Sequence, residues 1–168
     1  MKKTVLFIYL IVLLAAAGCG QGNPAAPGFG REDLFLNVDG TRFFLHIDIE
    51  TVFAALGDNY EYSEARSCDH DGMDKTFIYD TAHFYTFPLP KGDTVSEIFT
   101  SDLAVATSKG IRVGDGKEDV MAAYGDDCED TGFQLIYNLP GGSDEGGSLC
   151  FDLEDGVVVA IYITTRVF

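Results

Sequence analysis

Glu50-Thr51-Val52-Phe53-Ala54-Ala55-Leu56-Gly57-Asp58 and Glu118-Asp119-Val120-Met121-Ala122-Ala123-Tyr124-Gly125-Asp126 decide how this sequence is read. Six of the nine positions are identical, at an offset of 68 residues. In the first stretch Ile49, Val52, Phe53 and Leu56 fall at i, i+3, i+4 and i+7, the spacing of one apolar helical stripe. Asp48 is placed to cap that helix and Gly57 to end it. In the second, Val120, Met121 and Tyr124 supply the stripe, with Asp115 as the expected cap and Gly125 as the stop. Helices this short do not persist alone in water, so each stripe must pack on another layer.

Outward from these helices the period changes from 3.6 to 2. Residues 76–80, 83–87 and 95–101 read as strands after the first helix, and 133–138, 148–153 and 157–164 after the second. Phe77-Ile78-Tyr79-Asp80 echoes Leu135-Ile136-Tyr137-Asn138. Asp-Gly pairs at Asp39-Gly40 and Asp155-Gly156 mark tight hairpins, because that dipeptide accepts the positive φ angles such turns need. The expected fold class is α+β: two tandem repeats, each a helix plus an antiparallel three-stranded meander, with an N-terminal β-hairpin and both helices on one face of the sheet. The expected boundaries are 32–105 for the first repeat with its hairpin and 106–168 for the second.

Before these units the sequence has a different logic. Lys2 and Lys3 precede an apolar run, VLFIYLIVLL, and then Ala15, Ala16, Ala17, Gly18 and Cys19. Charge, apolar run and small residues are the order of a secretory signal, and the run is shorter than the ~20 residues of a membrane-spanning helix. Residues 1–18 are therefore expected to be a signal peptide. Residues 19–31, rich in Gly, Pro and Ala, read as a flexible tether. Ala16-Ala17-Gly18-Cys19 resembles the lipobox of bacterial lipoproteins, with alanine where leucine is usual. The resemblance implies that Cys19 receives a diacylglyceryl group, and that the protein sits on the extracytoplasmic face of the cell membrane, held by that lipid.

Without Lys2 and Lys3, nine basic residues face 27 acidic ones, a balance of −18. Such a surface repels nucleic acid and anionic lipid, which excludes a DNA or RNA partner class. It suits cationic partners or calcium, and it also serves plain solubility. Three cysteines follow Cys19, so at most one internal bridge forms; Cys128 with Cys150, in the same half, is the expected pair.

Candidate sites are few. Asp69, Asp71 and Asp74 place three carboxylates within a loop-like segment, a pattern suited to calcium, although glycine and glutamate do not fall where an EF-hand needs them. The same composition suits a solvated loop. Asp126, Asp127, Glu129 and Asp130 crowd the end of a helix, where dipole logic disfavours them. The loop bearing Pro140, Ser143, Asp144 and Glu145 is a candidate binding loop. Tyr60, Tyr62, Phe77, Tyr79, Phe84, Tyr85 and Phe87 suit either a concave binding face or a core. No nucleophile is fixed beside His46, His70 or His83, so triad chemistry lacks a basis in the sequence, and no resident cofactor is expected apart from possible calcium.

Gly110-Ile111-Arg112-Val113-Gly114-Asp115-Gly116-Lys117-Glu118-Asp119-Val120 and the residues to Gly125 resemble the opening of helix-plus-sheet repeats in outer-membrane assembly lipoproteins of the SmpA/OmlA type and in the β-lactamase inhibitor protein. Ser63-Glu64-Ala65, Ser67-Cys68 and Gly72-Met73-Asp74-Lys75-Thr76 resemble uncharacterised lipoproteins of clostridial Gram-positive bacteria. These resemblances imply a noncatalytic extracytoplasmic module that binds or scaffolds an envelope protein or cell-wall component. The alternatives are an enzyme inhibitor of the β-lactamase-inhibitor-protein type and a calcium-dependent adhesion module.

Overall fold

The computed structural model describes residues 28–139 and 146–165. The expected signal, Cys19, most of the expected tether, and the loop residues Pro140, Ser143, Asp144 and Glu145 lie outside the described residues. After a 3-10 turn, β1 (Phe35–Val38) and β2 (Thr41–Phe44) form a hairpin. Its turn residues Asp39 and Gly40 have φ of 50° and 81°, as an Asp-Gly hairpin demands. Next comes α1 (Ile49–Leu56), with the Asp48 carboxylate accepting the Glu50 N–H at 3.0 Å and Gly57 ending it at φ 79°. The α2 helix (Lys117–Tyr124) starts differently from expectation. Gly116 is its N-cap, the Asp119 carboxylate accepts the Gly116 N–H at 3.0 Å, and Asp115 instead accepts from Arg112 N–H one turn earlier.

After α1 run β3 (Glu61–Arg66), β4 (Met73–Ile78), β5 (His83–Leu89) and β6 (Gly92–Thr100). A two-residue strand, β7 (Ala106–Thr107), precedes α2, and β8 (Glu129–Asp130), β9 (Gln134–Leu139), β10 (Gly147–Glu154) and β11 (Val157–Thr164) follow it. Strands β3 to β6 and β8 to β11 are one antiparallel eight-stranded sheet, in the order β3-β4-β5-β6-β11-β10-β9-β8. The hairpin does not extend it: β2, β1 and β7 form a separate three-stranded sheet.

This corrects the α+β expectation. The protein is mostly β, with 48% strand and 14% helix, built on a large eight-stranded and a small three-stranded sheet rather than on two tandem helix-plus-three-stranded-meander repeats. The physical cause is the pairing of β6 with β11, Ile161 opposite Thr100 through Thr164 opposite Glu97, which fuses the two runs of strands edge to edge. Closing that edge satisfies two rows of backbone groups that separate meanders would leave open. One core then serves both halves. Leu36 and Phe43 of the small sheet, Val52 of α1 and Val120 and Tyr124 of α2 pack with Phe84, Ile98, Ile161, Leu149 and Leu135 of the large sheet. The two helices and the small sheet therefore share one face of the eight-stranded sheet.

A buried acid locks the small sheet onto α2. Asp33 is 4% exposed, and its carboxylate accepts from the Ser108 hydroxyl at 2.7 Å and pairs with Lys109 at 3.4 Å. A charge taken out of water needs such partners. The Tyr124 hydroxyl, 3.0 Å from Ser108 Oγ, continues the chain of bonds into the core.

Candidate functional site: the sheet face turned away from the helices

Strand residues alternate between faces, so every core residue is flanked by residues that point the other way. Taken across the sheet in register, those residues form two rows. One runs Ile78, His83, Phe99, Tyr162, Cys150, Ile136. The next runs Ser63, Thr76, Tyr85, Glu97, Thr164, Ser148, Asn138. The first is aromatic and apolar; the His83 and Phe99 rings lie 5.4 Å apart and the Phe99 and Tyr162 rings 6.4 Å. The second carries a hydroxyl, carboxylate or amide at each of its seven positions.

Burial sets the protonation of this face. It holds His83 below its ordinary value, which leaves the ring neutral near pH 7. It raises Tyr85, with the Glu97 carboxylate adding to the effect, and it raises Tyr162, with Cys150 and Asp152 adding. Both phenols therefore remain protonated donors. Gln134 Nε2 donates to Asp152 at 2.6 Å and to the Tyr162 hydroxyl at 2.8 Å, which fixes that ring.

At the β4–β6 side the polar row runs into a cavity of about 580 Å³. The β3–β4 loop forms one wall. Ser67 Oγ accepts from the backbone N–H groups of Asp69 and His70, and Ser67 N–H donates to Gly72 O at 3.1 Å, so the loop is braced from within. Gly72 has φ 136°, and a Cβ there would lie 2.9 Å from Pro88 Cγ; only glycine lets the loop lie this close to β5. The His70 ring then stacks on Phe87 at 4.9 Å. Asp74, Lys75 and Thr76 from β4, Tyr85 from β5, Glu97 from β6 and Thr164 from β11 are also in the lining, together with His46. The Oδ1 atom of Asp74 is buried and has no hydrogen-bond partner. Lys75 is engaged elsewhere, by Asp93 at 2.6 Å.

No family model, curated protein or solved structure matches this chain. The candidate site therefore stands on its own geometry.

Of the three aspartates singled out for calcium, Asp69 and Asp74 line this cavity and Asp71 does not. Among the described residues no three His, Cys, Asp or Glu side chains converge as a metal would need. The expected Cys128–Cys150 bridge does not form; both thiols are free. Cys128 packs against the core and against Tyr137, while Cys150 points to the opposite face between Ile136 and Tyr162. The sheet itself separates them. The acidic run after α2 is partly relieved by Lys117, whose ammonium lies 2.5 Å from Asp130 and holds that carboxyl below its ordinary value. The aromatic set divides: Phe77, Tyr79 and Phe84 are core, Tyr60 stacks on Phe53 at 5.2 Å, and Tyr85 and Phe87 line the cavity.

Glu97, Thr164 and the aromatic row at Phe99 and Tyr162 were not among the sequence candidates. The signal was present, because Glu97-Ile98-Phe99 and Tyr162-Ile163-Thr164 alternate core and non-core residues. It lay in strands more than sixty residues apart, whose pairing no local pattern announces.

Proposed function

We propose that this protein is a noncatalytic binding or scaffold module of the cell envelope, tethered through lipid on Cys19, whose helix-free sheet face engages an extracytoplasmic protein or cell-wall component. The observation that carries the reading is the pair of parallel rows, one aromatic and one hydrogen-bonding, that cross the strands, the second of which runs into a cavity. Aromatic area at low entropic cost beside ordered polar groups is what binding surfaces use. The described helices and small sheet pack on the other face; on this one Ile136, Cys150, Ser148 and Thr164 are buried, and the accessible part of the rows is the half-buried stretch from Ile78 to Tyr162 and from Thr76 to Glu97.

The test is cross-linked capture from intact envelopes, comparing the lipidated protein, a secreted Cys19→Ala form, and the same forms carrying Tyr85→Ala with Phe99→Ala. A partner captured by both tethered and secreted forms, and lost on substitution of the face while circular dichroism is unchanged, supports the reading. A partner captured only by the lipidated form, and insensitive to the face, overturns it. Neither the inhibitor nor the calcium-adhesion alternative gains an observation of its own: the candidate inhibitor loop at Pro140, Ser143, Asp144 and Glu145 lies outside the described residues, and the carboxylates near Asp69 do not converge.

A further inference from the structure

We infer that the cavity beneath the β3–β4 loop is a binding site for an organic cation, an alkylammonium or guanidinium group, with the Asp74 carboxylate as its anchor. The inference deepens the binding reading above and names the chemistry of one end of its site. A buried acceptor without a donor is disfavoured, and a carboxylate oxygen more so than a neutral one. Asp74 Oδ1 is such an atom, in a cavity with room for a long side chain. The lysine next to it in sequence, which also lines the cavity, does not answer it, because its ammonium is bound to Asp93. Among the described residues none supplies it a donor.

The rest of the lining says what kind of donor fits. Asp69 and Glu97 add negative charge to that of Asp74, and the ammonium of Lys75, which also lines the cavity, is already paired with Asp93. The carboxylates are spread along the cavity and do not converge on a point, which suits several N–H donors on an extended group and not a bare metal ion. Tyr85 and the stacked His70–Phe87 pair offer aromatic faces beside them. A cation over an aromatic face, with its aliphatic stem against the ring, is a favourable arrangement. The braced, glycine-dependent loop keeps this wall in place before any ligand arrives.

The cation could belong to a Lys or Arg side chain of an extended partner segment or to a free small amine, and the experiment separates these. Titrate the secreted Cys19→Ala form by calorimetry with Nα-acetyl-arginine methylamide, Nα-acetyl-lysine methylamide, their neutral counterparts from citrulline and Nε-acetyl-lysine, and an arginine-centred pentapeptide. The charged probes are expected to bind about tenfold or more tighter than the neutral ones, and Asp74→Asn to remove that preference. Glu154→Gln, exposed at the end of β10, is expected to leave it intact. The Asp74→Asn protein should melt no lower than wild type, since the carboxylate oxygen has no partner to lose; a lower melting temperature would mark Asp74 as structural and overturn the proposal. A pentapeptide binding about tenfold tighter than the single-residue amide assigns the cation to a partner segment, and equal binding assigns it to a small amine. Equal binding of charged and neutral probes, no binding of any, or displacement of the arginine probe by calcium through Asp74 would each overturn it. Partner capture that survives Asp74→Asn but not the Tyr85 and Phe99 substitutions would sink the cation site while leaving the wider binding reading in place.

Discussion

Single residues do two jobs here that a list of apolar positions does not reveal. The Tyr79 hydroxyl donates to the carbonyl of Gly57 at 2.8 Å, and the Tyr137 hydroxyl donates to the carbonyl of Gly125 at 2.7 Å. Each glycine ends a helix, where carbonyls lack helical partners; Tyr137 reaches it from β9 and Tyr79 from the position just after β4. Removing one hydroxyl leaves a carbonyl unanswered, so Tyr79→Phe and Tyr137→Phe should each destabilise by about 1 kcal/mol, read from the urea midpoint. A null effect for both would mean water replaces the hydroxyl. Buried acids give a second prediction. Burial pushes the Cys150 thiol up to about 12 and the Tyr79 phenol up to about 12. A group whose folded pKa exceeds its unfolded value contributes stability that is whole below the unfolded value and is lost as pH rises towards the folded one. For these groups the window opens near pH 9 to 10 and closes near 12, so the urea midpoint should be flat from pH 7 to 8.5 and fall above that. Cys150→Ala should shift the start of the fall to higher pH.

At the scale of elements, what was legible followed from packing period. The helix at Ile49–Leu56 announces itself because its stripe, its cap at Asp48 and its stop at Gly57 agree, and the structure places all three. Asp48→Ala should therefore cost about 1 kcal/mol of stability, checked by thermal or urea unfolding, while Asp115→Ala should leave the start of α2 in place because Asp119, not Asp115, caps it. The illegible elements lack a period. Strand β3 reads Glu61-Tyr62-Ser63-Glu64-Ala65-Arg66, and all six residues are exposed; backbone pairing to β4 and the Tyr62 ring, 5.4 Å from Phe77, hold it, and no alternation of apolar residues marks it. Its charges are what an edge strand needs against pairing with other chains. The two-residue β7 and β8 are too short to carry a pattern. The misjudged architecture has the same origin. Hairpin and helix signals are local, whereas the β6–β11 seam and the turning of β1 and β2 onto β7 are contacts between distant segments, chosen by edge closure and core burial. The candidate site was half legible for that reason: Asp69 and Asp74 lie in one stretch and Tyr85 faces Glu97 across the β5–β6 hairpin, but Thr164 joins them only once the seam forms.

At the scale of the whole molecule, chain entry, sheet and cavity set how a tethered protein would present its face. The first described residues are held against the β9 side: the Phe29 ring lies 6.3 Å from Tyr124 and 5.8 Å from Tyr137. The cavity lies towards the other end of the strand order, with four strand spacings from β9 to β5, roughly 19 Å at about 4.8 Å each. From Cys19 to Gly28 is nine residues, a reach of at most about 30 Å, so a lipid on Cys19 would keep the Phe29 side near the membrane and leave the β3–β4 loop free to face outward. That loop carries Cys68, which is exposed, whereas Cys150 is fully buried and its thiol is held neutral. Thiolate is the reactive form, so the two cysteines should differ sharply towards a maleimide. A membrane-impermeant maleimide added to intact cells should label the protein rapidly at one site, Cys68→Ser should abolish that rapid label, and Cys150 should react only after unfolding in urea. Rapid labelling that appears only after lysis would place the protein inside the membrane barrier and overturn the tethered, outward-facing arrangement. Rapid labelling that persists in a Cys68→Ser, Cys128→Ser double variant would instead mean that the sheet face holding Cys150 opens in the native state, and the ordered rows on which the binding reading stands would go with it.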